Sequence, residues 1–140
     1  MESYIKIAGL IKESIVDGPG IRMVVFAQGC KHHCPGCHNP ETHSFEGGQL
    51  ISIDSILEEA KKNPLLDGIT FSGGDPFEQA EAFAQLAKKA KKLNLDIVTY
   101  TGYTYEFLLK NLSSHKGWAE LLDETDILVD GKFELDKRNL

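Results

Sequence analysis

The three cysteines of the chain are the side chains best suited to chemistry, because all of them fall within one short segment. Cys30, Cys34 and Cys37 follow the spacing C-x3-C-x2-C in residues 30–37, CKHHCPGC. A disulfide framework spreads an even number of cysteines along the chain, so this odd, local set excludes one. The lysine, histidines, proline and glycine between them favour a polar loop over inert buried thiols or a helix. We therefore expect a loop folded around a metal centre.

Two kinds of metal centre fit these residue types. A structural zinc site takes four protein ligands, so the three thiols would need one histidine. The nearby histidines are His32, His33, His38 and His43. An iron–sulfur cluster normally uses four thiolates, so three thiolates would hold three irons of a [4Fe–4S] cluster and leave the fourth iron open. An open iron can bind a small chelating molecule, which suits catalysis rather than a structural role.

The elements that must position this segment follow from hydrophobic periodicity. Short apolar runs alternate with amphipathic stretches, which predicts βαβ units and a mostly parallel α/β sheet. The strands are expected near residues 5–10, 22–27, 68–72, 95–100 and 127–129, and the helices near residues 53–60, 76–90, 105–112 and 118–122. Because neither a repeat nor a linker interrupts the pattern, residues 1–140 are expected to form a single domain.

A polar or glycine-rich turn follows four of the predicted strands. Ligands of parallel α/β sheets bind outside the carboxyl ends of the strands, so these turns should line one shared site. Strand-end geometry alone places Thr101 and Asp130 in this site. The four turns are residues 28–30, 72–75, 100–103 and 130–131.

The turn after the strand at residues 68–72 has two interpretations. Gly73 and Gly74 would let backbone groups approach a ligand with no Cβ in the way. Asp75 could then pair with a cationic group of that ligand. Alternatively, Asp75 simply caps the helix that begins at Pro76.

Other segments also have both a functional and a structural interpretation. Residues 17–20 (DGPG) are either a plain turn before a strand or a segment that folds over the metal centre or contacts a partner. Arg22 could pair with a carboxylate, although a strand-end arginine is usually a surface residue. The lysines at 88, 89, 91 and 92 could form a docking patch, but the solvated face of a helix explains them better.

Several motifs in the right order resemble the radical S-adenosylmethionine superfamily, whose signature is C-x3-C-x2-C. Residues 17–22, 26–30 and 37–42 are similar to motifs of its glycyl-radical-enzyme activases. Residues 100–103 and 128–131 narrow the resemblance to activators of anaerobic ribonucleoside-triphosphate reductases. Residues 72–76 resemble the superfamily motif G-G-E-P. Aspartate stands where that motif has glutamate, which keeps the negative charge and shortens the side chain by one methylene group. The motifs are residues 17–22 (DGPGIR), 26–30 (FAQGC), 37–42 (CHNPET), 72–76 (SGGDP), 100–103 (YTGY) and 128–131 (LVDG).

This resemblance, which covers residues 14–133, implies the cofactors and their ligands. The three cysteines would bind a [4Fe–4S] cluster whose open iron is chelated by S-adenosylmethionine. One electron would cleave that molecule to methionine and a 5′-deoxyadenosyl radical. The carbonyls of residues 73–74 would accept from its ammonium group, with Asp75 adding a charged pair. His38 would tune the cluster by a hydrogen bond to a sulfur, and Asn39 would belong to the same site.

The resemblance also implies a fold and a partner. Four or five strands cannot close an eight-stranded barrel, so an open, partial (β/α) barrel is expected, with its exposed side free to receive a protein. The radical would take a hydrogen from a glycine of an anaerobic (class III) ribonucleoside-triphosphate reductase, with reduced flavodoxin or ferredoxin as electron donor. Similar proteins continue past residue 140, so this chain is expected to be truncated or naturally short.

Two other functions stay open at this point. The chain could activate another glycyl radical enzyme such as pyruvate formate-lyase, whose activating enzyme shares several of these motifs but is much longer. It could also be a non-catalytic binding module stabilised by zinc. Anaerobic purification, followed by analysis of colour, iron and sulfide, separates a zinc module from the iron–sulfur alternatives.

Composition excludes further classes of function. The chain has 21 acidic and 15 basic residues and a formal charge of -6, whereas nucleic acids and anionic membranes both attract basic surfaces. Its apolar runs are all much shorter than the roughly 20 residues of a membrane span. The first six residues lack a signal-peptide core. We expect a cytoplasmic protein with neither nucleic-acid nor membrane partners.

Overall fold

The computed structural model describes residues 3–29, 48–130 and 134–136, the last three by their backbone. Part of the predicted site therefore falls outside the described residues. The predictions that do so concern Cys30, Cys34, Cys37, His38 and Asn39.

The described residues contain seven strands and four α-helices. The strands are β1 (Tyr4–Ser14), β2 (Arg22–Ala27), β3 (Gln49–Ser52), β4 (Gly68–Gly73), β5 (Asp96–Tyr100), β6 (Ile127–Val129) and β7 (Glu134–Asp136). The helices are α1 (Ile53–Lys61), α2 (Ala80–Lys91), α3 (Tyr105–Lys110) and α4 (Trp118–Glu124), with 3₁₀ helices at Pro76–Gln79 and Leu112–Ser114. None of these described helices is long and apolar enough to cross a membrane.

One mixed sheet holds the described strands in the order β3-β1-β2-β4-β5-β6-β7. The central strands β2, β4, β5 and β6 run parallel, which confirms the predicted α/β class. The outer strands differ, because β1 pairs antiparallel with β2 and β3, and β7 with β6. The β1–β2 connection is residues 15–21, which is shorter than the roughly dozen residues that a parallel crossover needs.

The helices pack on one face of this sheet. Successive strand residues point to opposite faces, and the core-facing set includes Met23, Val25, Ile69, Phe71 and Ile97, all fully buried. The rings of Phe71 in β4 and Phe83 in α2 lie 4.8 Å apart, centroid to centroid. The apolar core therefore lies between this face and the helices, and it fixes the central strands that carry the predicted site.

The helix ends are set by local hydrogen bonds. Ser52 caps α1 by accepting from Ser55 N (3.1 Å), and Thr104 caps α3 by accepting from Phe107 N (3.1 Å). The helix predicted from residue 76 begins as the 3₁₀ helix Pro76–Gln79 and continues as α2. A proline suits this first position because its missing N–H would lack a helical partner there.

Residues 17–19 lie on the face opposite the helices. Thr70 Oγ1 donates to the carbonyl of Asp17 (2.8 Å), and Arg22 Nη1 donates to the carbonyl of Pro19 (3.0 Å). A Cβ on Gly18 would lie 3.2 Å from Cγ2 of Val98. The segment that contains DGPG is therefore packed against the sheet and is more than a plain turn.

Arg22 is fully buried at the amino end of β2. Its Nη1 lies 2.6 Å from Oδ1 of Asp96, at the start of β5. Nε donates to Thr70 Oγ1 (2.7 Å), and Nη2 donates to the carbonyl of Ile69 (3.0 Å). Of the two interpretations of Arg22, the carboxylate pair is the one observed, and the surface arginine is wrong.

Candidate cofactor site at the carboxyl edge of the sheet

The four parallel strands end at the same edge of the sheet, as the sequence predicts. Ala27 of β2 pairs with Gly73 of β4, and Tyr100 of β5 pairs with Val129 of β6. The turns that follow these strand ends are therefore neighbours. Within the described residues, the predicted candidates at this edge are Gly73, Gly74, Asp75, Thr101 and Asp130.

Gly73 and Gly74 let the turn after β4 lie directly against the end of β2. Gly73 has a φ of +90°, and a Cβ on it would lie 2.6 Å from the amide nitrogen of Ala27. A Cβ on Gly74 would overlap the carbonyl group of Gly29. Gly74 N donates to the Ala27 carbonyl (2.7 Å), and Asp75 N donates to the Gly29 carbonyl (2.8 Å). The close contact between the turn after β4 and the end of β2 therefore requires both glycines, independently of any role in ligand binding.

The carboxylate of Asp75 is fully buried and joins its own turn to the turn after β5. Its Oδ1 accepts from Phe77 N (3.0 Å), which caps the 3₁₀ helix. Thr101 Oγ1 donates to both carboxylate oxygens (3.0 and 2.9 Å), and Gly102 N donates to Oδ2 (3.1 Å). The capping role considered from the sequence is observed, together with a link to Thr101 that the sequence does not reveal.

The turn after β5 is held from several sides. The Thr101 hydroxyl accepts from Tyr103 N (3.2 Å) while it donates to Asp75. The Tyr103 hydroxyl donates to Oε1 of Glu78, in the 3₁₀ helix. Thr101 N donates to the carbonyl of Val129, the last residue of β6 (2.9 Å). Neighbouring elements therefore fix this turn at both of its ends.

Asp130 fixes the start of α3. It is 8% exposed, and its Oδ2 accepts from Tyr105 N, the first residue of that helix (2.9 Å). A carboxylate is stabilised at a helix N-terminus because the unpaired N–H groups there carry partial positive charge. Asp130 and Asp75 thus each connect two turns of the same edge.

Two supporting residues were missed by sequence reasoning. Gln79 Nε2 donates to the carbonyls of Lys6 (2.7 Å) and Gln28 (3.2 Å), so it ties the 3₁₀ helix to β1 and to the end of β2. Trp118 Nε1 donates to the carbonyl of Phe77 (2.9 Å), and the indole packs on the ring of Tyr103 with centroids 4.8 Å apart. No local pattern marks either residue, because both act across long sequence separations.

The described residues on either side of the cysteine segment, Gly29 and Gly48, are both held at the sheet. Gly29 accepts from Asp75 N at the start of that segment. At its far end, Gly48 has a φ of +86°, and a Cβ on it would lie 2.7 Å from Cγ of Gln28 and 2.8 Å from the carbonyl oxygen of Ile7. The sheet therefore fixes the two described residues between which residues 30–47 stand in the sequence.

The described part of this edge offers hydrogen-bonding groups and carboxylates. Among residues 3–29, 48–130 and 134–136, no group of three or more histidine, cysteine, aspartate or glutamate side chains could hold a metal ion. In the sequence, all three cysteines and four of the five histidines stand in residues 30–47. The metal ligands that the sequence predicts are thus concentrated in the segment that begins at Gly29.

Comparison with known proteins gives the family. A family model described as "4Fe-4S single cluster domain" matches residues 16–140. The anaerobic ribonucleoside-triphosphate reductase-activating protein of Enterobacteria phage T4 is 36% identical over 125 residues, which is 85% of this chain and 75% of the relative. The protein of the same name from Vibrio cholerae is 37% identical over 127 residues, 85% of this chain and 78% of the relative. The chain belongs to this family of activating proteins.

A second kind of activating enzyme is also similar to the chain. The pyruvate formate-lyase-activating enzyme of Clostridium pasteurianum is 36% identical over 121 residues, which is 82% of this chain. The match covers only 47% of that relative, so the chain spans about half of its length. The predicted resemblance to glycyl-radical-enzyme activases is confirmed, and the family match supports the predicted [4Fe–4S] cluster.

Proposed function

We propose that the chain is a radical S-adenosylmethionine oxidoreductase that generates a glycyl radical on an anaerobic (class III) ribonucleoside-triphosphate reductase. The observation that carries the proposal is that Gly29, which directly precedes the C-x3-C-x2-C segment in the sequence, lies at the carboxyl edge of the parallel strands. Gly29, the residue before Cys30, is hydrogen-bonded to Asp75 in the turn after β4. This edge is where α/β sheets bind their ligands. The relatives named as reductase activators supply the reaction.

The donor set of the chain fits a cluster with one open iron. Cys30, Cys34 and Cys37 would each bind one iron as a thiolate, so the set is one thiolate short of the usual four. When bound, the cluster supplies one electron, and S-adenosylmethionine supplies the carbon radical that removes hydrogen from glycine. His38 would donate a hydrogen bond to a cluster sulfur, and Asn39 would lie in the same site.

The turns at the carboxyl edge would bind S-adenosylmethionine. The carbonyls at Gly73 and Gly74 are the proposed acceptors for its ammonium group, and the turn at Thr101 would form the neighbouring wall. Asp75 and Asp130 would place negative charge close to this cationic molecule. The hydrogen bonds that already tie these turns together would hold them in position before the ligand arrives.

The face opposite the helices would receive the reductase. Val16, Val98, Tyr100 and Val129 contribute to the lining of a cavity of about 400 Å³ on this face. Val16 is 83% exposed and Ile15 is 75% exposed, and exposed apolar patches mark interaction surfaces. Because Tyr100 and Val129 end β5 and β6, this surface continues to the carboxyl edge. A glycine-bearing segment bound here would reach the proposed cofactor site from its uncovered side.

The remaining parts of the proposal concern the fold and the cellular setting. The sheet would act as an open, partial (β/α) barrel with the face opposite the described helices inside, formed by residues 1–140 as one domain. Reduced flavodoxin or ferredoxin would supply the electron. The reaction would take place in the cytoplasm, without nucleic-acid or membrane partners.

Reconstitution tests the proposal directly. The protein would be purified without oxygen, analysed for iron, sulfide and zinc, and mixed with a class III reductase, S-adenosylmethionine and dithionite. We expect a coloured protein with iron and sulfide, and an electron paramagnetic resonance signal of a glycyl radical on the reductase. A colourless protein with one zinc and no iron would instead indicate a zinc-stabilised binding module.

The similarity to the Clostridium pasteurianum enzyme gives a second candidate partner. The same reconstitution with pyruvate formate-lyase in place of the reductase tests it. A radical on pyruvate formate-lyase, with none on the reductase, would assign the chain to that partner while leaving the radical chemistry intact.

A further inference from the structure

Asp75 connects two turns of the proposed cofactor site. On one side, Asp75 N donates to the carbonyl of Gly29, next to the first cysteine in the sequence (2.8 Å). On the other side, its carboxylate accepts from Thr101 Oγ1 (3.0 and 2.9 Å) and from Gly102 N (3.1 Å). A single residue at the end of β4 therefore connects the end of β2 to the end of β5.

The carboxylate of Asp75 is heavily used by the chain itself. An ionised carboxylate has about four acceptor positions. Phe77 N, Gly102 N and the shared hydroxyl of Thr101 are all directed at them. Asp75 is also fully buried. Three donors and complete burial thus leave this carboxylate with no exposed oxygen for a ligand ammonium group.

The geometry points to a positioning role for Asp75. It fixes the turn at residues 101–103 against the turn at residues 73–75, so that both present their backbone groups to S-adenosylmethionine in one arrangement. It acts through Thr101 and Gly102 rather than by pairing with the ammonium group of the ligand. The inference rests on the proposed function, because it requires S-adenosylmethionine to bind at this edge.

Conservative variants separate this link from the capping role. Asparagine caps helices as well as aspartate does, so Asp75→Asn keeps an oxygen for Phe77 N. Its amide NH₂ replaces Oδ2, so Gly102 N loses its acceptor, whereas the Thr101 hydroxyl keeps Oδ1 as a partner. Thr101→Val removes the hydroxyl from the other side of the same link. Thr101→Ser keeps the hydroxyl and is the matched control.

Hydrogen exchange tests the link without reference to activity. It is read by mass spectrometry on the cluster-loaded full chain, in peptides that contain Gly102 and Tyr103. Asp75→Asn and Thr101→Val should exchange about tenfold faster there, because a hydrogen bond to a charged group contributes at least that factor. Thr101→Ser should exchange like the wild type. Wild-type exchange in Asp75→Asn would overturn the link.

Ligand binding tests the positioning role. Binding of S-adenosylmethionine is followed by its effect on the paramagnetic resonance of the reduced cluster, and KM and kcat by its cleavage with dithionite. Asp75→Asn and Thr101→Val should each weaken binding and raise KM about tenfold, the factor expected for one such hydrogen bond. Iron content should stay at the wild-type level, and kcat should change far less than KM. The loss of binding in the double variant should be smaller than the sum of the two single losses, because both changes act on one link.

Three other outcomes would be decisive. Wild-type binding in Thr101→Val with weak binding in Asp75→Asn would overturn the positioning role in favour of direct contact with the ammonium group. Faster exchange or a lower melting temperature in both variants, with wild-type binding, would overturn it in favour of a purely structural cap. A wild-type chain that holds iron but neither binds nor cleaves S-adenosylmethionine would refute the proposed function, and the positioning role with it.

Discussion

At the residue scale, Gly74 is a position where one added carbon atom should be costly. In Gly74→Ala, the new Cβ would overlap the carbonyl group of Gly29, which is backbone and cannot rotate away. We expect a loss of about 1–3 kcal/mol in the free energy of unfolding, as for other overpacked sites. Unfolding in urea measures this difference.

The matched control for that variant is Gly9→Ala in β1. A Cβ on Gly9 would have no atom within 4 Å, so its effect should stay within about 0.5 kcal/mol of the wild type. Equal losses in the two variants would contradict the close backbone contact at Gly74.

The predicted cluster ligands give a second prediction at this scale. Cys34→Ala should leave only two protein thiolates for the cluster, so iron content should fall and reductive cleavage of S-adenosylmethionine should be abolished. Anaerobic iron analysis and a dithionite assay measure both. His33→Ala is the control, because a histidine ligand is expected only in the zinc alternative. Full cleavage activity in Cys34→Ala would exclude this ligand set.

Asp75 shows what the sequence can and cannot predict about single residues. Its capping of the 3₁₀ helix could be inferred as one interpretation, because the capped amide lies only two residues away. The link to Thr101 could not, because 26 residues separate the partners and only the parallel pairing of β4 with β5 brings them together. Local rules predict caps, whereas long-range side-chain contacts need the fold.

At the element scale, buried Arg22 ties the amino end of β2 to that of β5. Asp96→Asn would leave this guanidinium, whose side chain is 0% exposed, without its carboxylate. Breaking a buried pair costs about 3–5 kcal/mol, and the partial solvation of Asp96, which is 29% exposed, should reduce this to about 2–3 kcal/mol. A lower urea midpoint with an unchanged slope would measure the loss.

An exposed pair is the control for this prediction. Asp54 and Lys89 join α1 to α2 with side chains that are 61% and 50% exposed. Asp54→Asn should therefore cost less than about 1 kcal/mol. A loss as large as that of Asp96→Asn would indicate that burial is not what makes the Arg22 pair strong.

The elements themselves were partly predictable. The strand expected at residues 22–27 has those bounds in β2, because a continuous apolar run is typical of a strand buried on both faces. The hydrophobic pattern does not show whether β1 runs parallel or antiparallel to β2. The short connection at residues 15–21 does, because it excludes a parallel crossover. The short strands β3 and β7 were missed, since they have only four and three residues and depend on pairing with β1 and β6.

At the scale of the whole molecule, the helices cover one face of the sheet and leave an apolar surface on the other. Val16→Asp would place a charge on that surface, where Val16 is 83% exposed. If the reductase binds there, the rate of glycyl-radical formation should fall about tenfold, as for loss of one good interface contact. Cleavage of S-adenosylmethionine without the reductase should not change. Paramagnetic resonance and product analysis measure the two quantities.

Leu65→Asp is the control on a different surface. Leu65 is 65% exposed and lies in the connection between α1 and β4, toward the amino edge of the sheet. Radical formation should stay at the wild-type level in this variant. Equal losses in both variants would argue against the face opposite the described helices as the docking surface.

The residues on either side of the cysteine segment lie on the same part of the sheet, and this has a consequence for cluster assembly. Gln28 and Gly48, which lie on either side of residues 30–47, are in contact beside Ile7 of β1, since a Cβ on Gly48 would be 2.7 Å from Cγ of Gln28. Closing a loop of this length costs about 2.6 kcal/mol in chain entropy beyond a constant. Folding of the sheet already offsets this loss of chain entropy before any iron binds. The folded chain should therefore take up iron and sulfide more tightly than a free peptide with the same three cysteines.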